Sequence, residues 1–522
     1  MDKWAIISVY DKSGVEQVAS ALVDAGYKIL STGGTAKYLV QHQIPIHSIS
    51  EYTGHPEILD GRVKSLHPKI HGGILARKDN AKDMEELAKH EISPIEVVVI
   101  NLYPFSEQSE RLVEDSSTES LVEFIDIGGP TMIRAAAKNC QFVLPVSDPA
   151  DYLAAAELIR SGKEISREVR RAYAAKVFAM MSRYDSSIAS YFSEGEKVIT
   201  EEGSAIKFPE SLGISLNKCM SLRYGENPHQ QAVLYRDAEG KELSYNNLLD
   251  MYGTLDLFLE LYQASEAEQV AVIIKHSNPC GAAQRASLLE AFECARACDP
   301  VSAFGGIVAV SGEVDAAVAA SMLEGFLEVI LVTSMTDEAK EIFAKKKNLR
   351  VLSCDFDGML ARREKGSVST RTYLDEYLIQ TVDVTLNEPS ADNLVAGPKV
   401  DEKTLSDMAF AWRVCKHVKS NAIVLVSNKA AIGVGAGQMN RVDSARLAIQ
   451  RAESNGHVDK ISQAVAASDA FLPFPDTLEI LAEAGVRSLV QPGGSIKDAE
   501  VIKVAEKLNV SMITTGMRHF RH

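Results

Sequence analysis

Short apolar runs that stop at a polar turn recur along this chain of 522 residues, and they constrain its fold more than any other feature. The runs at 4–10, 27–31, 97–105 and 270–274 are largely apolar and too short for helices, so each reads as a buried strand. Helical stretches follow several of them, which makes the chain α/β with helices packed on sheets. In such folds ligands gather where the strands end. The polar residues that close each run are therefore the candidates for chemistry.

The sharpest case is KHSNPCG, 275–281, after Val270–Ile274. Asn278, Pro279 and Gly281 read as the turn that ends the strand, leaving Lys275 and His276 at its mouth. With the ammonium about 5 Å from the ring and an effective dielectric of about 20, repulsion of imidazolium is roughly 3 kcal/mol, or about two pKa units. A His276 kept neutral in this way can take a proton while Lys275 steadies an oxyanion.

Toward the N-terminus, residues 4–10 form a first strand, Ser13 caps a helix to about residue 25, and 27–31 form a second strand leading into STGGT. Backbone N–H groups of Gly33, Gly34 and Thr35 at a helix start, with the hydroxyls of Ser31, Thr32 and Thr35, suit a phosphate. Ser8, Tyr10 and Lys12 share the crevice at the end of the first strand. Residues 51–73 carry three histidines and many turn signals and read as a long functional loop. There Arg62, Lys64, His67 and Lys69 set positive charge around a candidate phosphate. Asn101 and Tyr103 mark the polar end of the run at 97–105. In IDIGGPTMIRAAAKN, Asp126 precedes a helix with Pro130 in its first turn. An acid–base pair of Asp126 with Lys138 is strained, because eight helical residues rise about 12 Å. A long helix from Ser166 to about Phe192 closes the first domain.

The second half opens with SLRYGENPHQ, a binding-loop composition. Ser302, Phe304, Gly305 and Gly306 precede another buried strand. Residues 410–426 repeat the plan of apolar strand and polar rim, with Ser420 and Asn421 at the rim, so two similar subdomains are expected. SDAFLPFPD presents Phe471 and Phe474 for a flat ring, and the basic and aromatic MRHFRH suits a phosphate. The glycines of AIGVGAGQMNR lack dinucleotide-site spacing. Cys294 and Cys298 stack on one helix face as small buried thiols. A zinc deaminase signature would need a second Cys where position 283 is Ala, so no metal is expected.

Bulk properties narrow the class. Asp and Glu outnumber Lys and Arg by 71 to 55, a net charge of -16 that argues against nucleic-acid or anionic-membrane partners. The apolar run 4–10 is flanked by Asp2 and Asp11 and is no signal peptide, and no run reaches membrane-spanning length. Seven scattered cysteines suit a reducing compartment, with the cytoplasm the expected address. The length calls for two or three domains. We place them at 1–195 and 216–522, joined by a linker at 196–215.

Taken together, STGGT, GRVKSLHP, NLYPF, IDIGG with RAAAKN, RYGENPHQ, KHSNPCG, SNAI, GAGQMNR and SDAFLPF resemble, in order and over nearly the whole chain, one family. It is the family of bifunctional purine biosynthesis proteins that join aminoimidazole carboxamide ribonucleotide (AICAR) formyltransferase to inosine monophosphate (IMP) cyclohydrolase. The resemblance implies a three-layer N-terminal domain like methylglyoxal synthase, followed by two α/β subdomains like cytidine deaminase without zinc. It implies formyl transfer from 10-formyltetrahydrofolate to AICAR, then dehydrative closure of the formylated product (FAICAR) to IMP. The implied formyltransferase residues are His276 as base, Lys275 at the oxyanion and Asn421 orienting substrate. Arg223, Tyr224, Arg518 and His522 would hold the nucleotide. Ser302, Phe304 and Gly305, with Arg441, Phe471, Pro473 and Asp476, would line the nucleotide and folate pocket. For ring closure it implies Lys64, Tyr103, Asp126 and Lys138. Ser8, Lys12, Ser31, Thr32, Gly33, Gly34, Thr35 and Ser65, beside the Arg62 and Asn101 read from the sequence, would bind the substrate. A homodimer is implied as well.

Overall fold

A five-stranded, all-parallel sheet organises the N-terminal residues. In the computed structural model, residues 2–59, 62–103, 105, 122–193, 199–200, 203–204, 218–222, 227, 229–235, 244–265, 268–363, 368–374 and 376–522 are described. The first elements are β1 (Lys3–Ser8), α1 (Val15–Asp24), β2 (Tyr27–Ser31), α2 (Gly33–Gln41), β3 (His47–Ser48), α3 (Ile49–Thr53), α4 (Pro68–Leu75) and α5 (Ala81–Lys89). They are followed by β4 (Ile95–Ile100), α6 (Gly128–Lys138), β5 (Leu144–Val146), α7 (Tyr152–Arg160) and α8 (Arg167–Ser193). Strand order is β3-β2-β1-β4-β5. Ile6 lies beside both Leu30 and Val98.

Because successive strand residues face opposite ways, the runs split between two cores. Ala5, Ile7, Val97 and Val99 meet α1 and α7, while Ile6, Leu30, Val98 and Ile100 meet α4, α6 and α8. The result is helix, sheet, helix, with every strand end that carries polar residues on one edge.

Two local readings need correction. Ser13 does not cap α1: its N–H goes to Asp11 Oδ1 (2.9 Å), and the helix starts after Gly14, whose φ of 76° only glycine adopts freely. The expected loop at 51–73 is shorter, since α3 covers its start and α4 its end. His67 Nδ1 accepts the Lys69 N–H (3.1 Å) as the cap of α4, ahead of Pro68. Gly73 reads as a breaker but serves packing, because a Cβ there would stand 2.7 Å from the Ser93 carbonyl.

The chain divides into Met1–Asn217 with Tyr235–Asp237, and Lys218–Leu234 with Ala238–His522. Most of the expected linker at 196–215 lies outside the described residues, as do Arg223 and Tyr224.

The second unit is built twice from one plan. Its first half runs α9 (Tyr245–Gln263), β6 (Gln269–Lys275), β7 (Asn278–Arg285), α10 (Leu288–Cys298), β8 (Gly306–Val314), α11 (Ala316–Met322), β9 (Leu327–Met335), α12 (Asp337–Ala344) and β10 (Arg350–Ser353). After α13 (Phe356–Arg363), a hairpin and β11 (Leu394–Ala396), the second half runs α14 (Glu402–Lys416), β12 (Ile423–Val426), β13 (Ala431–Gly435), α15 (Arg441–Ser454), β14 (Val465–Ser468), α16 (Asp476–Glu483), β15 (Ser488–Gln491), α17 (Asp498–Lys507) and β16 (Ser511–Thr514). The sheets are ordered β7-β6-β8-β9-β10 and β13-β12-β14-β15-β16-β11. In both, a helix leads into an antiparallel hairpin whose first strand also pairs antiparallel with the next strand of the sheet, which begins a parallel run.

Helices α9 and α14 fill the space between the sheets with Leu257, Phe258, Phe410 and Trp412 against Val270, Val272, Val424 and Val426. Each such side chain, fully buried, stabilises the fold by about 1.5–3 kcal/mol. One sequence reading fails here. Pro279 and Gly281 lie inside β7 rather than in a turn. Gly281 is required there because a Cβ would collide with the Ala295 carbonyl of α10.

Candidate functional site

Each unit has its own site. In the N-terminal unit the strand ends converge on α2, whose first N–H groups have no intrahelical partner. Gly33 has φ of 55°, and Cβ atoms at Gly33 and Gly34 would stand 3.6 Å from Lys64 Nζ and 4.0 Å from Lys12 Nζ. Two ammonium groups thus stand over the positive end of a helix, a charge arrangement that asks for an anion.

The hydroxyls around it divide by role. Ser31 Oγ donates to the Ile7 carbonyl (2.8 Å), and Thr35 Oγ1 both accepts from Val9 N–H (3.0 Å) and donates to Val9 O (2.9 Å). These two tie β1 to the turn. Thr32 is the buried residue preceding α2 and makes no side-chain cap, and Ser8 ends β1 half-buried. Asn101 is also spent on structure. Its Oδ1 accepts from the N–H groups of Tyr10 (2.6 Å) and Asp11 (3.1 Å), and its Nδ2 donates to Asp11 O and the Tyr152 hydroxyl. Arg62 pairs with Glu123 at the surface.

Behind the cradle, Asp126 Oδ1 accepts from Gly129 N–H (3.1 Å), and its own N–H donates to the Tyr184 hydroxyl (2.7 Å). Burial raises the Asp126 pKa against the pull of the Gly129 N–H and the Lys64 charge. Burial, then the Asp126 and Tyr10 charges, raise that of Tyr103. Ser65 Oγ lies 2.6 Å from where a Gly128 Cβ would be, against the first turn of α6. Lys64, Tyr103, Asp126 and Ser65 therefore form one cluster, with a carboxyl poised to exchange protons nearer neutrality than usual.

Lys138 does not join it. It ends the eleven-residue helix that starts two residues after Asp126, about 15 Å along the axis, and is exposed. The strain noted from helix length is real, and the structure does not bring the pair together.

In the second unit, His276 and Ser277 form the two-residue turn between β6 and β7, with φ of 53° and 59°. This is the type I′ geometry that suits a right-handed hairpin. Neither is glycine, and the conformation is held by Asp250 of α9, whose carboxylate accepts both N–H groups (3.0 and 2.7 Å). The His276 ring is exposed, and with Lys275, Asn278, Ser302, Gln438 and Arg451 it lines a cavity of about 460 Å³ between the duplicated halves. Lys275 does not aim at the ring as the sequence suggested: its ammonium donates to the Phe304 carbonyl. Gly305, with φ of 75°, lies 3.4 Å below the ammonium measured to its missing Cβ.

Across the cavity, Asn421 follows a cis peptide and donates from both its N–H (3.1 Å) and Nδ2 (2.9 Å) to the Gln438 carbonyl. Asn278 Oδ1 accepts the Lys419 N–H (3.0 Å), joining the two halves. Arg441 is buried against Asp469 (2.9 Å) and the Phe471 carbonyl (3.2 Å), and Ser302 Oγ donates to Asp299 (2.7 Å) and accepts from Arg451 (3.2 Å). Ser302 and Arg451 line the cavity. Phe304 and Phe474 are exposed, Pro473 is half-buried, and exposed Asp476 opens α16. After β16 the chain alternates: Arg518 stacks on Phe520 (4.7 Å) beside His522, all exposed, while His519 and Arg521 turn inward.

Sequence reasoning missed Asp250, Gln438, Asp469, Arg451 and Arg521. The internal repeat was a usable signal for the first. In the second half, Asp407 of α14 accepts the Asn428 (2.9 Å) and Lys429 (2.6 Å) N–H groups of the corresponding turn.

Among the described residues no group of three His, Cys, Asp or Glu side chains is placed to hold a metal, and no helix is long and apolar enough to cross a membrane.

Residues 136–451 match the family described as AICARFT/IMPCHase bienzyme, and residues 14–131 match the MGS-like domain. Bifunctional purine biosynthesis protein PurH of Anoxybacillus flavithermus is 44% identical over 535 aligned residues, with all of both chains covered. Proteins of the same name from two strains of Desulfitobacterium hafniense are 44% identical over 534, again end to end.

Proposed function

The chain belongs to the AICARFT/IMPCHase bienzyme family, and from that membership we propose how its two units share the work. As a member it is a bifunctional enzyme that formylates AICAR with a formyl-folate and closes FAICAR to IMP. We assign formyl transfer to the second unit. The 5-amino nitrogen of AICAR attacks the formyl carbon of 10-formyltetrahydrofolate, His276 takes the amine proton, and the Lys275 ammonium stabilises the oxyanion. Collapse expels the folate N10, which leaves protonated. Asn421 orients the nucleotide, which Arg223, Tyr224, Arg518 and His522 hold. Ser302, Gly305, Arg441, Phe471, Pro473 and Asp476 shape the pocket around nucleotide and folate.

Ring closure belongs to the N-terminal unit. The carboxamide nitrogen of FAICAR attacks the formyl carbon, and water leaves after proton transfer. Asp126 and Tyr103 exchange the protons, and Lys64 faces the developing oxyanion. Gly33, Gly34, Thr32, Ser8, Ser65 and Lys12 hold phosphate and ribose, with Ser31, Thr35 and Asn101 bracing the cradle. The same reading makes the protein a cytoplasmic homodimer whose folate pockets close across the pair. The dimer is supported by Phe304 and Phe474, large apolar rings exposed at 60% and 55%.

The observation that carries the formyltransferase assignment is the His276 ring, exposed in the cavity on a turn held by Asp250. The test mixes AICAR with 10-formyltetrahydrofolate and follows tetrahydrofolate and IMP, with His276→Ala beside wild type. Unchanged turnover by that variant overturns the assignment. Conversion of synthetic FAICAR to IMP without folate should survive it, and binding of FAICAR without turnover would make the N-terminal unit a binding module.

A further inference from the structure

The segment after β16 does more than present Arg518 and His522. Its inward residue Arg521 meets three elements of the second unit at once. The Arg521 carbonyl accepts the Ser420 N–H (2.9 Å), and its N–H goes to Ser420 Oγ (3.3 Å). Its guanidinium donates through Nη2 to Asp256 of α9 (3.2 Å) and lies 3.1 Å through Nη1 from Nδ1 of His417.

A guanidinium has no acceptor, so His417 Nδ1 must carry the lone pair and the ring proton must sit on Nε2. That Nε2 is 2.9 Å from Glu260, one helical turn beyond Asp256. Glu260 is held in turn by Lys416 (3.1 Å) and Arg363 (3.2 Å). The contacts therefore run from the Ser420–Asn421 loop through Arg521 to the face of α9.

The same helix carries Asp250, the clamp on the His276 turn. Gly253 lies between Asp250 and Asp256, and a Cβ there would be 3.7 Å from Ser277 Cα and 3.9 Å from Arg521 Nη2. The catalytic turn, the helix and the guanidinium thus meet at one place.

We propose that Arg521 is a positioning residue for formyl transfer, fixing the Ser420–Asn421 loop in register with the helix that holds the His276 turn. The proposal rests on the reading that His276 and Asn421 face one substrate. Lysine cannot replace it, because one ammonium does not span Asp256 and His417 with the planar fork of arginine. The N-terminal unit takes no part, so FAICAR closure is a control within the same molecule.

The test compares full-length Arg521→Met, Arg521→Lys and Asp256→Asn with wild type. It measures kcat and both KM values for formyl transfer, closure of synthetic FAICAR, and rescue by guanidinium below denaturing concentration. Expected is a fall in formyl-transfer kcat of about ten- to a hundredfold for Arg521→Met. Arg521→Lys should recover little of it and Asp256→Asn should lose less. Added guanidinium should restore part of the Arg521→Met activity where ammonium does not, while FAICAR closure stays unchanged. Formyl transfer by Arg521→Met within twofold of wild type overturns the proposal, as does a loss shared by FAICAR closure or unresponsive to guanidinium. His276→Ala run in parallel separates the two failures. Its activity at wild-type level would remove the underlying reading, whereas its inactivity beside an active Arg521→Met removes only this inference.

Discussion

Asp250→Asn is the sharpest perturbation of the formyltransferase site, because it leaves His276 in place and removes what holds it. The carboxylate accepts two N–H groups, at 3.0 and 2.7 Å, from residues at φ of 53° and 59°. Hydrogen bonds to a charged group contribute about 1.5–3 kcal/mol each, and a left-handed conformation costs a non-glycine residue roughly 1–2 kcal/mol. Asparagine keeps one oxygen acceptor and loses the charge and the second bond, a net loss of about 2 kcal/mol on the turn. If formyl transfer requires the turn as it stands, kcat falls about 30-fold.

The assay is tetrahydrofolate release from 10-formyltetrahydrofolate at saturating AICAR, with closure of synthetic FAICAR on the same preparation as control. The internal repeat supplies a second control. Asp407→Asn removes the equivalent clamp from Asn428 and Lys429, so it should cost similar stability and spare formyl transfer. The reasoning is refuted if Asp250→Asn turns over within twofold of wild type, or if Asp407→Asn is equally impaired.

Three further outcomes follow from burial and charge. Burial raises the pKa of Asp126 from 3.8, so its contribution to stability is present below the unfolded value and is lost as pH rises through the folded one. Asp126→Asn, which retains an acceptor for Gly129, should therefore raise the calorimetric Tm at neutral pH while slowing FAICAR closure; a lowered Tm contradicts this. Burial pushes Glu260 up, but His417, Lys416 and Arg363 prevail and hold it at about 2. Its stabilisation is present above 4.5 and disappears as pH falls toward 2, so Glu260→Gln should cost about 3–5 kcal/mol in urea unfolding at pH 7 and much less at pH 3. Equal cost at both pH values would sink the assignment. Gly281→Ala should lower stability by about 2 kcal/mol or more, because the backbone of α10 occupies the Cβ position; an unchanged Tm would show that α10 yields.

What the sequence made legible was whatever depends on a local pattern. The runs ending at Ser8, Ser31, Asn101 and Lys275 marked strand mouths, and STGGT marked the start of α2, because periodicity and turn chemistry act over a few residues. What it hid depends on partners far along the chain. Asp250 and His276 are 26 positions apart and Ser420 and Arg521 are 101, and neither aspartate nor arginine carries a local mark of such a role. Hydroxyls misled for the same reason, since Ser31 and Thr35 look like ligands until their bonds to Ile7 and Val9 are seen.

The duplication sharpens the point. Both halves of the second unit build the same hairpin turn and clamp it with an aspartate from the preceding helix. In the second half the carbonyls of that turn are taken by the first half: Gln284 N–H donates to the Lys429 carbonyl (3.0 Å), and Arg285 donates to the Asn428 carbonyl. In the first half the turn opens on the cavity and carries an imidazole. The scaffold therefore supplies a strained, well-held turn twice. Chemistry follows only where a proton-accepting side chain occupies that turn and the turn lines the cavity. Placing histidine at Asn428 would accordingly add no formyl transfer to a His276→Ala protein, because that turn is not among the residues that line the cavity.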